Sequence, residues 1–191
     1  FCFLDFHLLF LIFAAKVLLF HKLCVTLHTK WTILPKTRNM FDKNTYVQRR
    51  AELKKLVGEG IVVLFGNNEA PCNYPANTYA PMRQDSTFVY YFGQHRDGLV
   101  GIIDIDNDEE WLFGDDIDVE DIEWMGYTPS VADLAAEVGV SKTAPMSKLK
   151  DIVNCKSSNG KSYHFLPPYR HDTKIQIMDL LGIHPSQQKD S

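Results

Sequence analysis

The run IVVLF at residues 61–65 constrains the fold most, because it offers no polar position to either face of a strand. It is apolar, rich in β-branched residues and closed by Gly66, a combination typical of a buried β-strand. Such a strand needs cover on both sides. It therefore predicts a sheet that lies inside the domain.

Helical and strand-like segments flank this run. Ahead of it, Asp42 is expected to cap a helix with apolar positions at helical spacing, ended by Gly58 and Gly60. Behind it, an Asn- and Pro-rich stretch at 67–82 predicts a long irregular loop, a feature that is usually functional or disordered. Three strand-like runs then predict a meander: Thr87–Phe92, Leu99–Ile105 and Glu110–Phe113.

The rest of the chain adds more helices. Ser130 with Asp133 three residues later forms a capping box, and that helix is expected to stop at Gly139. Further elements are predicted as helices at Val119–Trp124, Ser147–Val153 and Thr173–Leu181, and as a short strand at Ser162–Leu166. Helices on both sides of sequential strands predict an α/β fold, a three-layer α/β/α domain with a mixed sheet.

Charge and cysteine content narrow the partners and the compartment. The formal net charge of −4 gives no reason to expect nucleic acid. The four cysteines are far apart and form no C-x-x-C pair, which suits a reducing, cytoplasmic compartment better than a disulfide framework or a zinc site.

Residues 1–39 differ from the rest because they are far more apolar. A membrane span is disfavoured by Lys16 in the middle, which costs about 2.5–3.5 kcal/mol there. A signal peptide is disfavoured by Asp5, where a basic region is expected. We interpret 1–39 as sequence translated upstream of a natural start at Met40. A membrane anchor or an export signal is the alternative, and a membrane partner is not expected.

Polar residues lead directly into an aromatic run in RQDSTFVYYFG, residues 83–93. As a strand, it would place Phe88, Tyr90 and Phe92 on one face. Arg83 and Asp85 would then stand at its entrance, where an unpaired charge is costly. We interpret them as architectural, pairing with each other, the backbone or neighbours to fix the preceding loop. Direct contact with a ligand is the alternative.

The acidic stretch DIDNDEEWLFGDD, residues 104–116, partly matches a calcium-binding EF-hand loop. Asp104, Asp106 and Asp108 match the first three EF-hand ligand positions, but Glu109 replaces the required glycine and Asp115 the final glutamate. A solvated hairpin turn is the preferred interpretation. The chain also lacks a zinc-binding H-E-x-x-H, a P-loop and a G-x-S-x-G nucleophile elbow.

Several motifs together resemble one family. YVQRRAELKKLV, VVLFGN, the Asn/Pro-rich loop, RQDSTFVYYFG and the W-x-G at Trp124–Gly126 occur in the order found in the N-terminal domain of aminopeptidase P. This is the Xaa-Pro aminopeptidase branch of the creatinase/prolidase metallopeptidases. The resemblance covers residues 40–191 and is carried most specifically by R-Q-[DN]-S-x-F-x-Y-x-x-G.

The resemblance implies a hydrolase that removes the N-terminal residue preceding proline from a peptide. Its chemistry would belong to a C-terminal pita-bread domain with two divalent metals, usually Mn²⁺. We expect that domain to be absent from this sequence, so that the chain is a fragment, inactive alone, with no cofactor, catalytic residue or metal site. Its partners would be its own catalytic domain and other subunits, in a dimer or tetramer. A stand-alone interaction module is the alternative.

The resemblance also assigns individual positions. Trp124 resembles an aromatic residue that can approach a neighbour's active site, with core packing as the alternative. Asn77 stands where some relatives place an Asp thought to help close the cleft, and the lost charge puts that role in doubt. The motif itself is carried by a larger set of residues: Arg83, Gln84, Asp85, Ser86, Phe88, Tyr90 and Gly93.

Overall fold

The structure, a computed structural model, describes residues 40–75, 77–118, 122–123, 126–157, 160 and 162–188. The interpretation of residues 1–39 and most of the helix predicted at Val119–Trp124 lie outside these residues. The elements are, in chain order, α1 (Lys43–Val57), β1 (Ile61–Phe65), α2 (Ser86–Phe92), β2 (Val100–Asp104), β3 (Glu109–Phe113), α3 (Val131–Val138), β4 (Lys142–Ala144), α4 (Leu149–Ser157), β5 (Tyr163–His164) and α5 (His171–Leu181).

The strands form one mixed sheet in the order β4-β3-β2-β1-β5. β1, β2 and β3 are antiparallel neighbours, with Val63 opposite Ile102 and Ile102 opposite Trp111. Each outer strand is parallel to its neighbour: β4 pairs with β3, and β5 pairs with β1. β1 therefore lies inside the sheet, as its apolar run predicts.

Helices cover both faces of the sheet, which confirms the predicted three-layer α/β/α domain. Because side chains of a strand alternate, Val62 and Leu64 enter one core, whereas Ile61 and Val63 enter the other. On the first face α1, α2 and α3 contribute Tyr46, Phe88, Phe92, Leu134 and Val138. On the second face α4 and α5 contribute Leu149, Val153 and Leu180.

Helix α1 begins after Asp42, as predicted, although the Asp42 side chain makes no capping hydrogen bond. The helix buries Tyr46 and, one turn later, the charged side chain of Arg50, which is 0% exposed. A buried cation is costly unless hydrogen bonds and an opposite charge compensate it. The contacts of Arg50 therefore decide how α1 is placed.

The Arg50 guanidinium joins three other elements. Its Nε donates to Glu110 of β3 at 2.7 Å, and its terminal nitrogens donate to the carbonyls of Tyr91 and Val138, each at 2.9 Å. These carbonyls belong to the last turns of α2 and α3, where carbonyls lack helical partners and the helix dipole favours a cation. The guanidinium also lies 5.5 Å from the centre of the Phe92 ring.

Lys54, one turn further along α1, extends this charge network. Its Nζ lies 2.7 Å from Glu110 and 2.8 Å from Asp108 in the turn between β2 and β3. Burial lowers the pKa of Lys54, but the hydrogen bonds to the two carboxylates outweigh it and hold that pKa above its ordinary value. Glu110 thus pairs with both Arg50 and Lys54 of α1.

The strand predicted at Thr87–Phe92 is wrong, because these residues form helix α2. Asp85 caps the helix by accepting the backbone N–H of Phe88 at 2.9 Å. Phe88 and Phe92, four residues apart, share the buried face and stack with ring centres 5.3 Å apart. Tyr90, predicted on the same face, is instead 47% exposed. A short aromatic run cannot by itself distinguish the two periods.

The glycine that ends the motif is required by two features of the structure. Gly93 adopts a left-handed conformation with φ of 66° and terminates α2. A Cβ at this position would also lie 2.6 Å from the Tyr46 ring of α1. Gly93 therefore ends the helix and allows α1 to pack closely.

The acidic stretch forms the turn of the β2–β3 hairpin, which confirms the predicted turn, although the stretch is not solvated throughout. Asp104 is buried and accepts the backbone and side-chain N–H groups of Asn107, at 3.2 and 2.8 Å. Asp106 accepts the backbone N–H of Gly60. The described residues contain no group of three or more His, Cys, Asp or Glu side chains able to hold a metal ion.

The remaining predictions agree in kind with the structure. The capping box of Ser130 and Asp133 is present, and α3 stops at Gly139. The helices predicted near Ser147 and Thr173 are α4 and α5, whereas the strand predicted at Ser162–Leu166 is reduced to two residues. β4 was not predicted. No helix in the part of the chain that the structure describes is long and apolar enough to span a membrane.

Replacing Arg50 by methionine (Arg50→Met) is expected to lower the free energy of unfolding by about 3–5 kcal/mol, because two helix-end carbonyls and Glu110 lose a buried partner. Arg49→Met is the matched control. That neighbouring side chain is only half-buried, stacks on the rings of Phe41 and Tyr90 and pairs with no carboxylate among the described residues, so its loss is expected to cost less, about 1–2 kcal/mol. Urea unfolding measures both. Equal losses in the two variants would contradict the role given to Arg50.

Candidate functional site

Most of the long connections of the domain meet at one end of the sheet. The pairings of Phe65 with Val100, Val100 with Phe113 and Phe113 with Ala144 bring the ends of β1, β3 and β4 together with the start of β2. We call this edge the loop end. The predicted Asn/Pro-rich loop leaves from it, and RQDS, residues 83–86, returns the chain to it.

Gln84 is the centre of the loop end. Its side chain is buried, and its Oε1 accepts the backbone N–H groups of Asn67 and, at 2.8 Å, Asp85. Its Nε2 donates to the carbonyl of Arg96 at 2.6 Å. One amide thus joins the exit from β1, the start of α2 and the segment before β2. Gly66 is required beside it, because a Cβ there would lie 2.7 Å from the carbonyl oxygen of Leu99 and 3.0 Å from Nε2 of Gln84.

Asp85 joins a fourth segment to this centre. While its Oδ1 caps α2, its Oδ2 accepts the hydroxyl proton of Tyr169 at 3.0 Å. Asn67 donates from Nδ2 to the same hydroxyl at 3.1 Å and to the carbonyl of Arg83 at 3.0 Å. We refer to Asn67, Gln84, Asp85 and Tyr169 as the polar hub. It fixes the segment that leads into α5.

The polar hub alters the ionisation of Tyr169. Burial of the hydroxyl raises the pKa of Tyr169; the hydrogen bond from Asn67 opposes this, and the Asp85 carboxylate adds to it. The net pKa lies above the ordinary tyrosine value. Tyr169 therefore stays protonated near neutral pH and remains a donor to Asp85.

The polar hub contains some of the residues predicted from sequence and omits others. Arg83 is exposed and contributes its carbonyl, and no ion pair joins its side chain to Asp85. Ser86 is the exposed first residue of α2. Asn77 lies apart, in the exposed loop, where its Nδ2 donates to Asn73 at 3.2 Å. Trp124 lies outside the described residues.

Sequence reasoning missed Asn67 and Tyr169. Asn67 comes directly after Gly66, the glycine that closes β1. That position is only a weak sequence signal for a functional residue at the end of a strand. Tyr169 lies 102 residues from Asn67, and no local pattern connects the two. Only the parallel pairing of β5 with β1 brings their segments together.

The outer surface of the loop end is aromatic. Tyr74 and Tyr79 of the loop are 59% and 63% exposed, Tyr127 is 75% exposed, and the ring of Tyr169 leaves that residue 68% exposed. A shallow cavity lies beside the polar hub, lined by Phe65, Asn67, Asp85, Leu166, Pro168 and Tyr169 among others. The hub groups satisfy one another. The arrangement therefore suits the contact of a surface with a partner better than a chemical step.

Comparison with known proteins identifies the family. The family described as "Aminopeptidase P, N-terminal domain" matches residues 46–164, more than half of the chain. The chain belongs to this family. The match contains most of α1, all five strands and most of the polar hub. A search of the curated proteins found no match.

Solved structures of aminopeptidase P share the fold. PepP from Pseudomonas aeruginosa has a TM-score of 0.64 at 21% identity, covering 75% of this chain and 33% of that one. An Escherichia coli aminopeptidase P variant in complex with substrate has a TM-score of 0.63 at 19% identity, covering 74% and 33%. The zinc-substituted Escherichia coli enzyme in complex with product gives 0.63 at 18%, covering 74% and 33%. The chain spans about a third of these relatives.

Replacing Gln84 by leucine (Gln84→Leu) is expected to destabilise this aminopeptidase P domain by about 2–4 kcal/mol, because it leaves the buried N–H of Asn67 and the carbonyl of Arg96 without partners. Hydrogen exchange of the 67–82 loop should also accelerate. Ser86→Ala, at the exposed end of the same motif, is the matched control and should change neither quantity measurably. A Gln84→Leu variant as stable as the control would contradict the central position of Gln84.

The hub predicts a specific tyrosine titration. Absorbance at alkaline pH, taken as the difference between the chain and its Tyr169→Phe variant, should show Tyr169 ionising above the ordinary tyrosine pKa. Asp85→Asn removes the neighbouring charge and should lower that pKa. Because the folded pKa is raised, the stabilisation is complete below the unfolded pKa and is lost as pH rises through the folded one. A pKa unchanged by Asp85→Asn would contradict this contact.

Proposed function

We propose that the chain is the N-terminal, non-catalytic part of a metal-dependent Xaa-Pro aminopeptidase of the cytoplasm. The complete enzyme would remove the N-terminal residue that precedes proline in a peptide. This part would help to form the substrate cleft and assemble subunits into a dimer or tetramer. The family match supports the assignment to an aminopeptidase, and the loop end supports the role in forming the cleft.

The observation that carries the proposal is that four exposed tyrosines belong to connections that leave one end of the sheet. Singly scattered apolar residues are normal on a protein surface. Here Tyr74, Tyr79, Tyr127 and Tyr169 belong to connections that leave the same end. Tyrosine is also enriched where protein surfaces meet. A catalytic half packed against the loop end would cover them and leave the polar hub intact beneath.

The chemistry of the described side chains supports placing the metals elsewhere. The complete enzyme would use two divalent ions, Mn²⁺ or another metal, as the source of an activated hydroxide. The carboxylates described here do not fit that task, because Asp85 caps a helix and binds Tyr169, whereas Glu110 binds Arg50 and Lys54. We therefore propose that the catalytic half supplies the metal ligands.

Two residues keep the roles that the resemblance suggested for them, as proposals. Asn77 lies on the exposed loop of the loop end, where a residue could border a cleft. Trp124 would approach the active site of a neighbouring subunit, with core packing as the alternative. The polar hub residues would act on the cleft indirectly, by holding the loop that carries Asn77.

A second candidate is a stand-alone interaction module without catalysis. The completeness of the polar hub favours it, since Gln84 and Asp85 need no group from outside the described residues. The exposed tyrosines favour the first candidate, because a lone domain would be expected to cover them. The two candidates differ in whether a catalytic half accompanies this domain.

The purified chain with added Mn²⁺ is expected not to hydrolyse an Ala-Pro or Gly-Pro peptide. Release of the N-terminal amino acid, followed over time, measures this directly. Mn²⁺ without protein is the blank, and an active two-domain aminopeptidase P is the positive control. Steady turnover above the blank would contradict the proposed non-catalytic role.

A further inference from the structure

One flank of α1 forms an exposed ridge next to the end of α2. Arg49, Glu52 and Leu56 follow one another at spacings of three and four residues, which places them on one side of a helix. Leu56, a large apolar side chain, is 85% exposed. Phe41 at 44% and Tyr90 at 47% border the ridge. We call these five residues the α1 ridge.

The side chain of Arg49 is pre-organised by its neighbours. Its guanidinium lies 4.0 Å from the centre of the Tyr90 ring and 4.4 Å from that of Phe41, and it donates one hydrogen bond to the carbonyl of Tyr90 at 2.9 Å. Stacking between two rings restricts the long side chain, so less rotamer entropy remains to be lost on binding. No ion pair joins Arg49 or Glu52 to another described side chain.

The α1 ridge is complementary to itself. Positions 45, 49, 52 and 56 are symmetric about the point midway between Arg49 and Glu52. If two such helices lie antiparallel across that point, each Arg49 faces Glu52 of the second copy. Each Leu56 then reaches Thr45 of the second copy, towards its Phe41. A two-fold contact needs this reciprocity, in which each residue and its partner exchange roles.

We propose that the α1 ridge is a self-association surface on which α1 packs antiparallel against α1 of a second copy of this chain. The inference rests on the proposed role in subunit assembly and names the surface that performs it. An unrelated acidic partner would match Arg49 but not Glu52, whereas a second copy matches both. The loop end stays free for the catalytic half.

The contact is of modest size. A helix of 15 residues is about 22 Å long at 1.5 Å per residue, so two such helices with their bordering rings form an interface at the small end of the specific range. The association is therefore expected to depend on protein concentration. Because the paired charges lie near solvent, it should also weaken as salt is raised.

Charge reversal tests the proposal. Sedimentation equilibrium of the full chain should show concentration-dependent association, and Arg49→Glu or Glu52→Arg alone should raise the dissociation constant at least about tenfold, because like charges then face each other. The double variant Arg49→Glu/Glu52→Arg restores opposite charges across the two-fold axis. It should associate again within a few-fold of the original chain.

Lys150→Glu is the matched control, since it makes the same charge change at an exposed position of α4, on the opposite face of the sheet. It should leave association unchanged, and circular dichroism should show that all variants fold. Association that survives Arg49→Glu would contradict self-association through the α1 ridge, but it would leave the proposed assembly role standing. A chain that stays monomeric at all concentrations would overturn both. Failure of the double variant to recover would also overturn the ridge.

Discussion

The buried guanidinium of Arg50 is the interaction on which the rest of this domain depends. It compensates the negative ends of α2 and α3 and pairs with Glu110, so it sets two helices and a strand relative to α1. Fixing the end of α2 also fixes its beginning. There Gln84 and Asp85 tie together the connections at the loop end. A cation on one helix thus supports, through α2, the surface proposed to meet the catalytic half.

This three-layer domain has two distinct surfaces that are proposed to make contacts. The loop end presents tyrosines around a hydrogen-bonded hub that closes on itself. The flank of α1 presents the self-complementary Arg49 and Glu52 beside exposed apolar side chains. The proposed function needs such a division, because one surface would meet the catalytic half while the other would meet a second subunit.

The sequence predicted the layers and most elements because their signals are local, such as the apolar run of β1 and the capping box of Ser130. It mistook α2 for a strand. The decisive signal was Asp85 as a helix cap, and the aromatic run behind it fits either period over so few residues. The burial of Arg50 and the contact of Asp85 with Tyr169 could not be predicted, since both depend on partners 41 to 88 residues away. The family motif contained Gln84 and Asp85 of the polar hub, but it gave neither their geometry nor their contact with Tyr169.

The central claim is that this domain works as one part of a longer aminopeptidase. The most direct test is the mass of the native product in its source cells, measured by immunoblot with an antibody raised against residues 40–191. We expect a species much larger than 21.9 kDa, with the catalytic half attached. A species of that mass or slightly smaller would contradict it and would favour the stand-alone interaction module.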